Sequence, residues 1–257
     1  MKISATIVTL NEERNIARAI ESLTCADEVL VVDSGSTDRT RQIAERLGAR
    51  VVEEPWRGYS GQKNYAAGCA AYDWILSIDA DESVTGDLAA EILAVKNDGP
   101  RFEGYAFPRL AFYLGRWIRH SGWYPDRKLR LYDRRKAEFT GNFVHESVRV
   151  NGSTGELRGD LLHFTCNSLS EHLRTLDRYT TLAAKEVAAR GKPVPLTKLA
   201  LDPAWTFVRT YILQRGFLDG PQGLAIAWMA SLYTFLKYAK ARQDLAVGSG
   251  DADSPSR

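Results

Sequence analysis

The stretch WILSIDADES, residues 74–83, joins an apolar run to a pair of aspartates. The run WILSI has the apolar and β-branched character of a strand that is buried on both faces. Asp79 and Asp81 follow it directly. A carboxylate at the end of a buried strand is costly to desolvate unless a cation accompanies it. The stretch therefore predicts a core strand whose carboxyl end meets a metal ion or a cationic group.

Similar apolar runs come earlier in the chain, and helical patterns separate them. These runs are ISATIVTL at 3–10, VLVVD at 29–33 and RVV at 50–52. NIARAIESL predicts a first helix and STDRTRQIAERLG a second, with Ser36 or Thr37 as its N-cap and Gly48 just past its end. Strands and helices alternating at this spacing predict an α/β fold with parallel βαβ units. Such sheets bind ligands at the carboxyl ends of their strands.

The second half of the chain changes character twice. Residues 101–165 combine aromatic residues, arginines and short β-like pieces such as EGYAFP and KLRLYD, which predict a mixed or antiparallel extension of the sheet. From Ser168 the pattern is helical, and GKPVP interrupts it. We therefore expect an α/β domain at 1–166, a helical region at 167–243 and a disordered tail at 244–257.

The composition suits a globular protein and argues against several classes. The chain has 257 residues, 44% hydrophobic and 26% charged. With 34 Lys and Arg against 32 acids, the formal net charge of +2 does not indicate a nucleic-acid binder. Cys25, Cys69 and Cys166 form no CxxC, so a reducing cytosol is expected rather than a disulfide framework or a zinc site. Neither a signal peptide nor a membrane-spanning run of about 20 apolar residues is predicted.

Two polar turns follow the first two predicted strands. TLNEE begins at Thr9 and DSGSTD at Asp33, where helix-terminal amides would face a ligand. A helix cap explains one such side chain, because Ser, Thr and Asp are common N-caps. DSGSTD has a short polar side chain at five of its six positions, which favours a ligand-binding loop over a simple cap.

Asp79 and Asp81 are two residues apart, so in an extended segment both side chains would point to the same side. Two carboxylates there suit Mg²⁺ or Mn²⁺ that also binds phosphate oxygens. A solvated acidic turn explains the same pattern where it occurs alone. Its place after a buried strand, downstream of two polar turns, favours the metal.

These motifs, in this order, resemble the family 2 inverting glycosyltransferases of the GT-A fold. TLNEE, DSGSTD, GQKNYA and DADE carry the resemblance. HSGWYPDRKLRLY, VHE, GDLLHFT and GFLDG are similar to the branch that adds glucose in lipopolysaccharide core biosynthesis, with Ser121 where that branch has the first of two glycines. The resemblance covers about residues 1–242. It implies a Rossmann-like nucleotide-diphospho-sugar transferase fold with a mixed central sheet, residues 1–166 as catalytic domain and a C-terminal helical extension.

The resemblance also implies a nucleotide-sugar site, formed by Thr9, Asn11, Glu12, Asp33, Ser34, Lys63 and Asp79. Asp33 would accept a hydrogen bond from the uracil imide, and Lys63 would lie near the nucleotide or its phosphates. Asp79 would lie close to the ribose or to a divalent metal, Mg²⁺ or Mn²⁺, and Asp81 would be the principal ligand of that metal. His163, in GDLLHFT, would supply a nitrogen ligand to the metal or contact the diphosphate, although a lone histidine in an apolar run is more often a core residue.

An inverting transfer needs a base that takes the proton of the acceptor hydroxyl. Glu146, in VHE, and Asp126, in WYPD, are the candidates. We favour Glu146, because the family's base usually lies in the C-terminal half of the catalytic region and because His145 is adjacent. An equally simple explanation is that His145 and Glu146 cap a β segment.

Two further regions concern the acceptor and its location. Residues 116–136 hold eight Lys or Arg and two Asp among four Trp and Tyr residues, which suits either an acceptor-binding lip or an ordinary solvated face. Residues 224–236 are uncharged and precede Lys237, Lys240 and Arg242. This pattern is typical of an interfacial helix, although packing or a dimer interface would also explain it. We expect a peripheral protein in the cytoplasm, on the inner face of the bacterial inner membrane.

The resemblance therefore predicts the transfer of a hexose, most simply glucose from UDP-glucose, to a lipopolysaccharide core or another lipid-linked acceptor. A different acceptor for the same fold, a phosphatase of the haloacid-dehalogenase type and a non-catalytic nucleotide-sugar-binding scaffold are alternatives. The phosphatase pattern places its acids after the first strand, with Thr or Val two places beyond. Here the strand is about the fourth, and that place is Ser83.

Overall fold

The computed structural model describes four stretches of the chain: residues 1–141, 146–166, 168–190 and 193–250. The chain forms two compact units, the first composed of Met1–Ala111 with Pro125–Thr165 and the second of Phe112–Tyr124 with Cys166–Arg257.

The strands of the described residues are short, as is usual for a twisted sheet. They are β1 (Ile3–Thr9), β2 (Glu28–Asp33), β3 (Arg50–Glu53), β4 (Trp74–Asp79), β5 (Glu82–Val84), β6 (Gly104–Tyr113), β7 (Arg116–Ile118), β8 (Asp126–Asp133), β9 (Ala137–Thr140), β10 (Ser147–Val150), β11 (Thr154–Glu156) and β12 (Leu161–Cys166).

The main sheet follows the order β3-β2-β1-β4-β8-β6-β12-β5, and β11 pairs with β6. β1 pairs in parallel with both β2 and β4, and β3 in parallel with β2. β8 is antiparallel to β4 and to β6. A parallel βαβ half followed by an antiparallel extension confirms the predicted α/β class with a mixed central sheet. The register pairs Thr9 with Asp33 and Val8 with Asp79, so both polar turns and the DAD segment lie at one edge.

Side chains of the central strands point alternately to the two faces of the sheet, so the first unit has a hydrophobic cluster on each face. In β4, Leu76 and Ile78 belong to one hydrophobic cluster, and Ile75 belongs to the other. In β2, Val31 and Val32 divide in the same way. Side chains of a strand point alternately to opposite faces, so runs such as WILSI need apolar residues at successive positions.

Helices cover the sheet in the first unit and dominate the second. They are α1 (Ile16–Glu21), α2 (Thr40–Arg46), α3 (Tyr59–Cys69), α4 (Gly86–Asp98), α5 (Leu169–Ala189), α6 (Leu196–Val208) and α7 (Pro221–Gly250). A π-helical turn at Arg209–Leu213 and a 3₁₀ turn at Gly216–Asp219 lie between α6 and α7. Within the described residues, no helix combines the length and the apolar character needed to cross a membrane.

The start of α2 corrects one expectation. Its N-cap is Arg39, not Ser36 or Thr37. The amide of Thr37 donates to Asn11, and the hydroxyl of Ser36 accepts from the amide of Asn11, so both residues serve the neighbouring turn instead of a cap. Gly48 follows the C-cap and has φ +82°, a left-handed conformation that favours glycine and ends the helix as predicted.

The boundaries of the second unit differ from the predicted segments. Phe112–Tyr124, expected within the first domain, groups with the helices, because Tyr113 and Ile118 pack against Ile226. α7 continues to Gly250, into the segment 244–257 for which disorder was predicted. Residues 251–257 lie outside the described residues.

Candidate functional site

The turns after β1 and β2 are joined by hydrogen bonds. Asn11, at φ +56°, accepts at Oδ1 from the amide of Thr37 at 2.8 Å and donates its own amide to Oγ of Ser36 at 2.8 Å. The amide of Glu12 donates to Oγ1 of Thr40 at 2.8 Å. These bonds bring two of the predicted nucleotide-site residues, Asn11 and Glu12, against the DSGSTD turn.

The DSGSTD turn is organised around a buried carboxylate. Asp33 is fully buried and accepts from the amides of Gly35 at 3.0 Å and Ser36 at 2.7 Å. The amide of Ser34 donates to the carbonyl of Thr9 at 2.9 Å, and Oγ1 of Thr9 is buried without a hydrogen-bond partner among the described residues. The carboxylate of Asp33 therefore shapes the turn, and its contact with a uracil ring stays a prediction.

The DAD segment is not extended throughout. β4 ends at Asp79 and the chain turns at Ala80 and Asp81, so the strand alternation from which a shared side was expected does not continue to Asp81. Asp79 places Oδ1 2.8 Å from Nζ of Lys63 and Oδ2 2.9 Å from Nη2 of Arg130. Burial raises the pKa of Asp79, but the charges of Lys63 and Arg130 outweigh burial and hold that pKa well below its ordinary value. Cationic side chains thus contact both oxygens of Asp79, and its role as a metal ligand stays a prediction.

Asp81 instead meets His163. Its Oδ2 lies 3.2 Å from Nε2 of His163, which β12 holds opposite Glu82 of β5. Asp81 and His163 are both partly exposed, at 28% and 19% of their side chains. The structure thus brings together two of the three predicted metal ligands, from a turn and a strand that are far apart in sequence.

The donor set at Asp81 fits a divalent ion that draws its remaining ligands from a substrate. No group of three or more His, Cys, Asp or Glu residues that could hold a metal occurs in the part of the chain that the structure describes. Mg²⁺ is usually bound by one or two carboxylates together with phosphate oxygens, so a carboxylate and an imidazole suffice in such a site. Burial raises the pKa of Glu12, a hydrogen bond from Asn15 opposes this, and the charge of Asp81 raises it further. Glu12 therefore adds a second carboxylate near Asp81, and the guanidinium of Arg18 lies near both.

A chain of alternating charges runs through the first unit beside this site. Its members, in order, are Glu146, Lys63, Asp79, Arg130, Glu82, Arg109 and Asp126. The successive N···O distances are 2.6, 2.8, 2.9, 3.5, 3.1 and 2.7 Å. Both predicted base candidates are members, one at each end.

Sequence reasoning missed three members of this charge chain, namely Glu82, Arg109 and Arg130. Glu82 is fully buried and also accepts from the amide of Asp79 at 2.9 Å. The carboxylates of Glu82 and Asp79 outweigh burial and raise the pKa of Arg130, which is only 6% exposed and stays cationic. A buried strand that carries a charge between two leucines, as LRL does in β8, is the local signal that was available.

One carboxylate oxygen of Glu146 is in an ion pair, and the other has no hydrogen-bond partner among the described residues. Oε1 accepts from Nζ of Lys63 at 2.6 Å. Oε2 is buried and has no hydrogen-bond partner among the described residues. His145, which we expected to tune this carboxylate, lies outside the described residues. A buried carboxylate oxygen without a donor can accept a proton or a hydrogen bond from a ligand.

Asp126 has both of its oxygens in ion pairs. Oδ2 lies 2.7 Å from Nη2 of Arg109, and Oδ1 lies 3.0 Å from Nζ of Lys128. Burial raises the pKa of Asp126, but the charges of Arg109 and Lys128 outweigh it and hold the pKa below its ordinary value. As a proton acceptor, Asp126 is therefore weaker than an unpaired aspartate.

Several basic residues of the run 116–136 pair with carboxylates inside the first unit, and its role in acceptor binding stays a prediction. Arg130 is buried in the charge chain. Arg134 and Arg135 both pair with Asp73, at 3.2 and 3.3 Å. The run is also divided between the two units, because the second unit includes only its residues up to 124. Much of its positive charge is therefore used to hold the first unit together.

Comparison with known proteins gives consistent similarities. The model of the family described as Glycosyl transferase family 2 matches residues 4–150. An uncharacterized glycosyltransferase, RT0209 of Rickettsia typhi, is 34% identical over 94% of this chain and 87% of that protein. The lipopolysaccharide core biosynthesis glycosyltransferase LpsC of Rhizobium meliloti is 33% identical over 96% of this chain and 94% of that protein. The crystal structure of S. aureus TarS 1-349 aligns with a TM-score of 0.49 and 16% identity, over 100% of this chain and 93% of that chain.

Proposed function

The chain belongs to glycosyl transferase family 2 and is a glycosyltransferase with the GT-A fold, and from this premise we propose that it transfers a hexose, most simply glucose, from a UDP-sugar to a lipopolysaccharide core or another lipid-linked acceptor. Similarity to LpsC over nearly the full length of both proteins supports the acceptor class. A sugar diphosphate donor accounts for the joined polar turns and for Asp81 at the same edge of the sheet.

One observation carries the proposal: Asp81 and His163 lie 3.2 Å apart at the sheet edge where the turns after β1 and β2 meet. A nucleoside diphosphate needs polar groups and a cation. The turns after β1 and β2 supply short polar side chains, and Asp81 with His163 is the pair to which we assign the cation.

Asp81 and His163 would hold a divalent ion, which would neutralise negative charge on the diphosphate as the sugar departs. Lys63 and Arg130 hold Asp79 in an ionised and fixed state, so Asp79 suits a hydrogen-bond acceptor for the donor's hydroxyl groups. We assign Oε2 of Glu146 to the proton of the acceptor hydroxyl, since this oxygen has no donor among the described residues.

The alternative functions are less compatible with these contacts. A phosphatase of the haloacid-dehalogenase type needs a nucleophilic carboxylate, whereas Lys63 and Arg130 bind both oxygens of Asp79. A non-catalytic nucleotide-sugar-binding scaffold does not require a buried carboxylate oxygen without a partner, such as Oε2 of Glu146. We also propose that the protein works in the cytoplasm, at the inner face of the bacterial inner membrane where a lipid-linked acceptor is accessible.

A panel of nucleotide sugars, titrated by calorimetry with Mn²⁺ and with a chelator, tests the proposal. We expect selective binding of one UDP-sugar that is lost on chelation. Equal binding of all nucleotides, or binding unaffected by the chelator, would contradict the proposed donor chemistry. Release of UDP on adding core oligosaccharide distinguishes a transferase from a binding scaffold.

A further inference from the structure

The second unit exposes far more large hydrophobic side chains than the first. Those exposed in the described part of the first unit are Leu10, Trp56, Leu93 and Phe102. Those exposed in the second unit are Leu169, Leu173, Leu196, Leu201, Trp205, Val208, Ile212, Leu213, Phe217, Leu218, Leu224, Trp228, Leu232 and Phe235. Isolated exposed apolar residues are ordinary, whereas such a concentration marks an interaction surface.

The exposed residues of α7 form one stripe. They are Leu224, Trp228, Leu232 and Phe235, at 39%, 61%, 36% and 41% exposure. Spacings of four, four and three residues place them on one side of a helix. The hydroxyls of Ser231 and Thr234 contact Pro203 and Thr206 of α6 at 2.9 and 3.3 Å, so another side of α7 faces α6.

Aromatic rings extend this stripe towards the turns before α7. The ring of Trp228 lies 4.9 Å from Phe207, Phe207 lies 5.6 Å from Tyr211, and Tyr211 lies 6.3 Å from Phe217. Phe217 is 48% exposed, and its neighbour Leu218 is 47% exposed. We call the α7 stripe together with Phe207, Tyr211, Phe217 and Leu218 the aromatic face.

Two arginines lie beside the aromatic face, at the turns before α7 and on β7. Arg116 donates from Nη2 to the carbonyl of Leu218 at 3.1 Å, and exposed Arg215 precedes Phe217 by two residues, at φ +56°. Within the described residues, neither guanidinium has a carboxylate partner at salt-bridge distance. Asp219 is the acid of this segment, but it is 2% exposed and accepts from the amides of Arg119 and His120. Within residues 215–220, which the structure describes throughout, the basic side chain is therefore exposed and the acidic one is buried.

We propose that the aromatic face docks on a lipid bilayer that contains anionic phospholipids. Trp, Phe and Leu insert at the boundary between headgroups and acyl chains, and arginines beside them attract anionic headgroups. The uncompensated charge of Arg116 and Arg215 favours this partner over a second copy of the chain, which would bring like charges together. The inference deepens the proposed function and rests on it in one respect, the lipid-linked acceptor. That acceptor would lie in the bilayer on which the aromatic face docks.

Co-sedimentation of the full chain with vesicles tests the inference. One set contains phosphatidylcholine alone, and the other contains equal amounts of phosphatidylcholine and phosphatidylglycerol. We expect binding to the anionic vesicles, weakened by added NaCl. The double variant Trp228→Ser with Phe217→Ser should bind about tenfold more weakly or worse, because its apolar anchors are lost. Arg116→Gln and Arg215→Gln should each weaken binding about fivefold.

Trp56→Ser is the matched control, because Trp56 is 53% exposed in the first unit and should not affect vesicle binding. Unchanged melting temperatures establish that the variants fold. Equal binding to both kinds of vesicle, or wild-type binding by the double variant, would overturn the inference. So would a concentration-dependent dimer, detected by light scattering, that the double variant loses while it still binds vesicles.

The same proteins are also assayed for UDP release with delipidated core oligosaccharide. Loss of vesicle binding with normal UDP release supports the docking surface independently of catalysis. Absence of UDP release from the wild type, with vesicle binding intact, would count against the proposed function alone.

Discussion

Nζ of Lys63 lies 2.6 Å from Oε1 of Glu146, a contact that spans 83 residues of sequence. Lys63 is 3% exposed and also contacts Asp79 at 2.8 Å, so one buried ammonium holds two carboxylates in place. Glu146 follows residues 142–145, which lie outside the described part of the chain. The position of this candidate base therefore depends on α3 as well as on its own segment.

Replacement of Lys63 by Met should destabilise the fold. The variant leaves Asp79 and Glu146 without their shared cation, and removal of one partner of a buried ion pair costs about 3 kcal/mol of unfolding free energy. Urea unfolding measures the change. Lys136→Met is the matched control, because Lys136 is 52% exposed beside Glu103 and should change the unfolding free energy by less than about 1 kcal/mol. Equal effects of the two substitutions would mean that Lys63 does not organise the site.

The ion pairs of Asp126 predict a pH dependence of stability. Its folded pKa is depressed, because Arg109 and Lys128 outweigh burial, so Asp126 stabilises the fold at pH values above its unfolded pKa of about 3.9. That contribution is lost as the pH falls through the lower, folded pKa. Asp126→Asn should therefore lower the unfolding free energy by about 1 kcal/mol at neutral pH, a modest value because the side chain is 34% exposed.

The difference between wild type and Asp126→Asn should shrink as the pH falls below about 4. Urea unfolding at several pH values measures it. Asp98→Asn is the control, since Asp98 is exposed at the end of α4. A difference that persists unchanged at low pH would show that the substitution acts by some means other than ionisation.

Sequence patterns predicted the parts of this molecule that depend on local periodicity and strand order. The parallel strands follow from their apolar runs, and the shared edge of Thr9, Asp33 and Asp79 follows from the parallel register. The direction of Asp81 did not follow, because a turn at Ala80 ends the alternation of side chains on which that expectation depended.

Sequence patterns also did not predict the contacts between segments that are far apart in the chain. Arg109 and Arg130 come from two antiparallel strands and meet at Glu82, and no local spacing encodes that meeting. The predicted N-cap of α2 was wrong for the same reason. Ser36 and Thr37 have the right chemistry for a cap, but Asn11, on another turn, offers them partners.

Replacement of Asp81 by Asn should remove the metal dependence of donor binding. The substitution keeps the size of the side chain and removes the negative charge that a divalent ion needs beside His163. We expect the affinity for the UDP-sugar in the presence of Mn²⁺ to fall about tenfold or more, to the level of the wild type with chelator. Calorimetry in both conditions measures this.

His163→Gln should produce a smaller loss of the same kind, and Asp87→Asn, an exposed substitution in the first turn of α4, should produce none. If Asp81→Asn retained the full response to Mn²⁺, the metal would have to bind elsewhere in the chain.

Glu146→Gln should separate donor binding from transfer. The amide keeps the shape of the side chain and can still accept a hydrogen bond from Lys63, but it cannot take a proton from an acceptor hydroxyl. We expect kcat for UDP release with core oligosaccharide to fall about 100-fold or more, because general-base catalysis contributes at least that much. Donor affinity by calorimetry should stay within the error of the wild type.

Glu156→Gln is the matched control, because Glu156 is 65% exposed on β11 and pairs only with Arg127 among the described residues. Near-normal transfer by Glu146→Gln, with intact donor binding, would remove Glu146 from the role. Asp126 would then be the remaining candidate base. Asp126→Asn should lose activity only if one of the ion pairs of Asp126 opens to admit the acceptor. A loss of both donor affinity and transfer in Glu146→Gln would instead mean that this carboxylate acts by positioning Lys63, since the two side chains are joined directly.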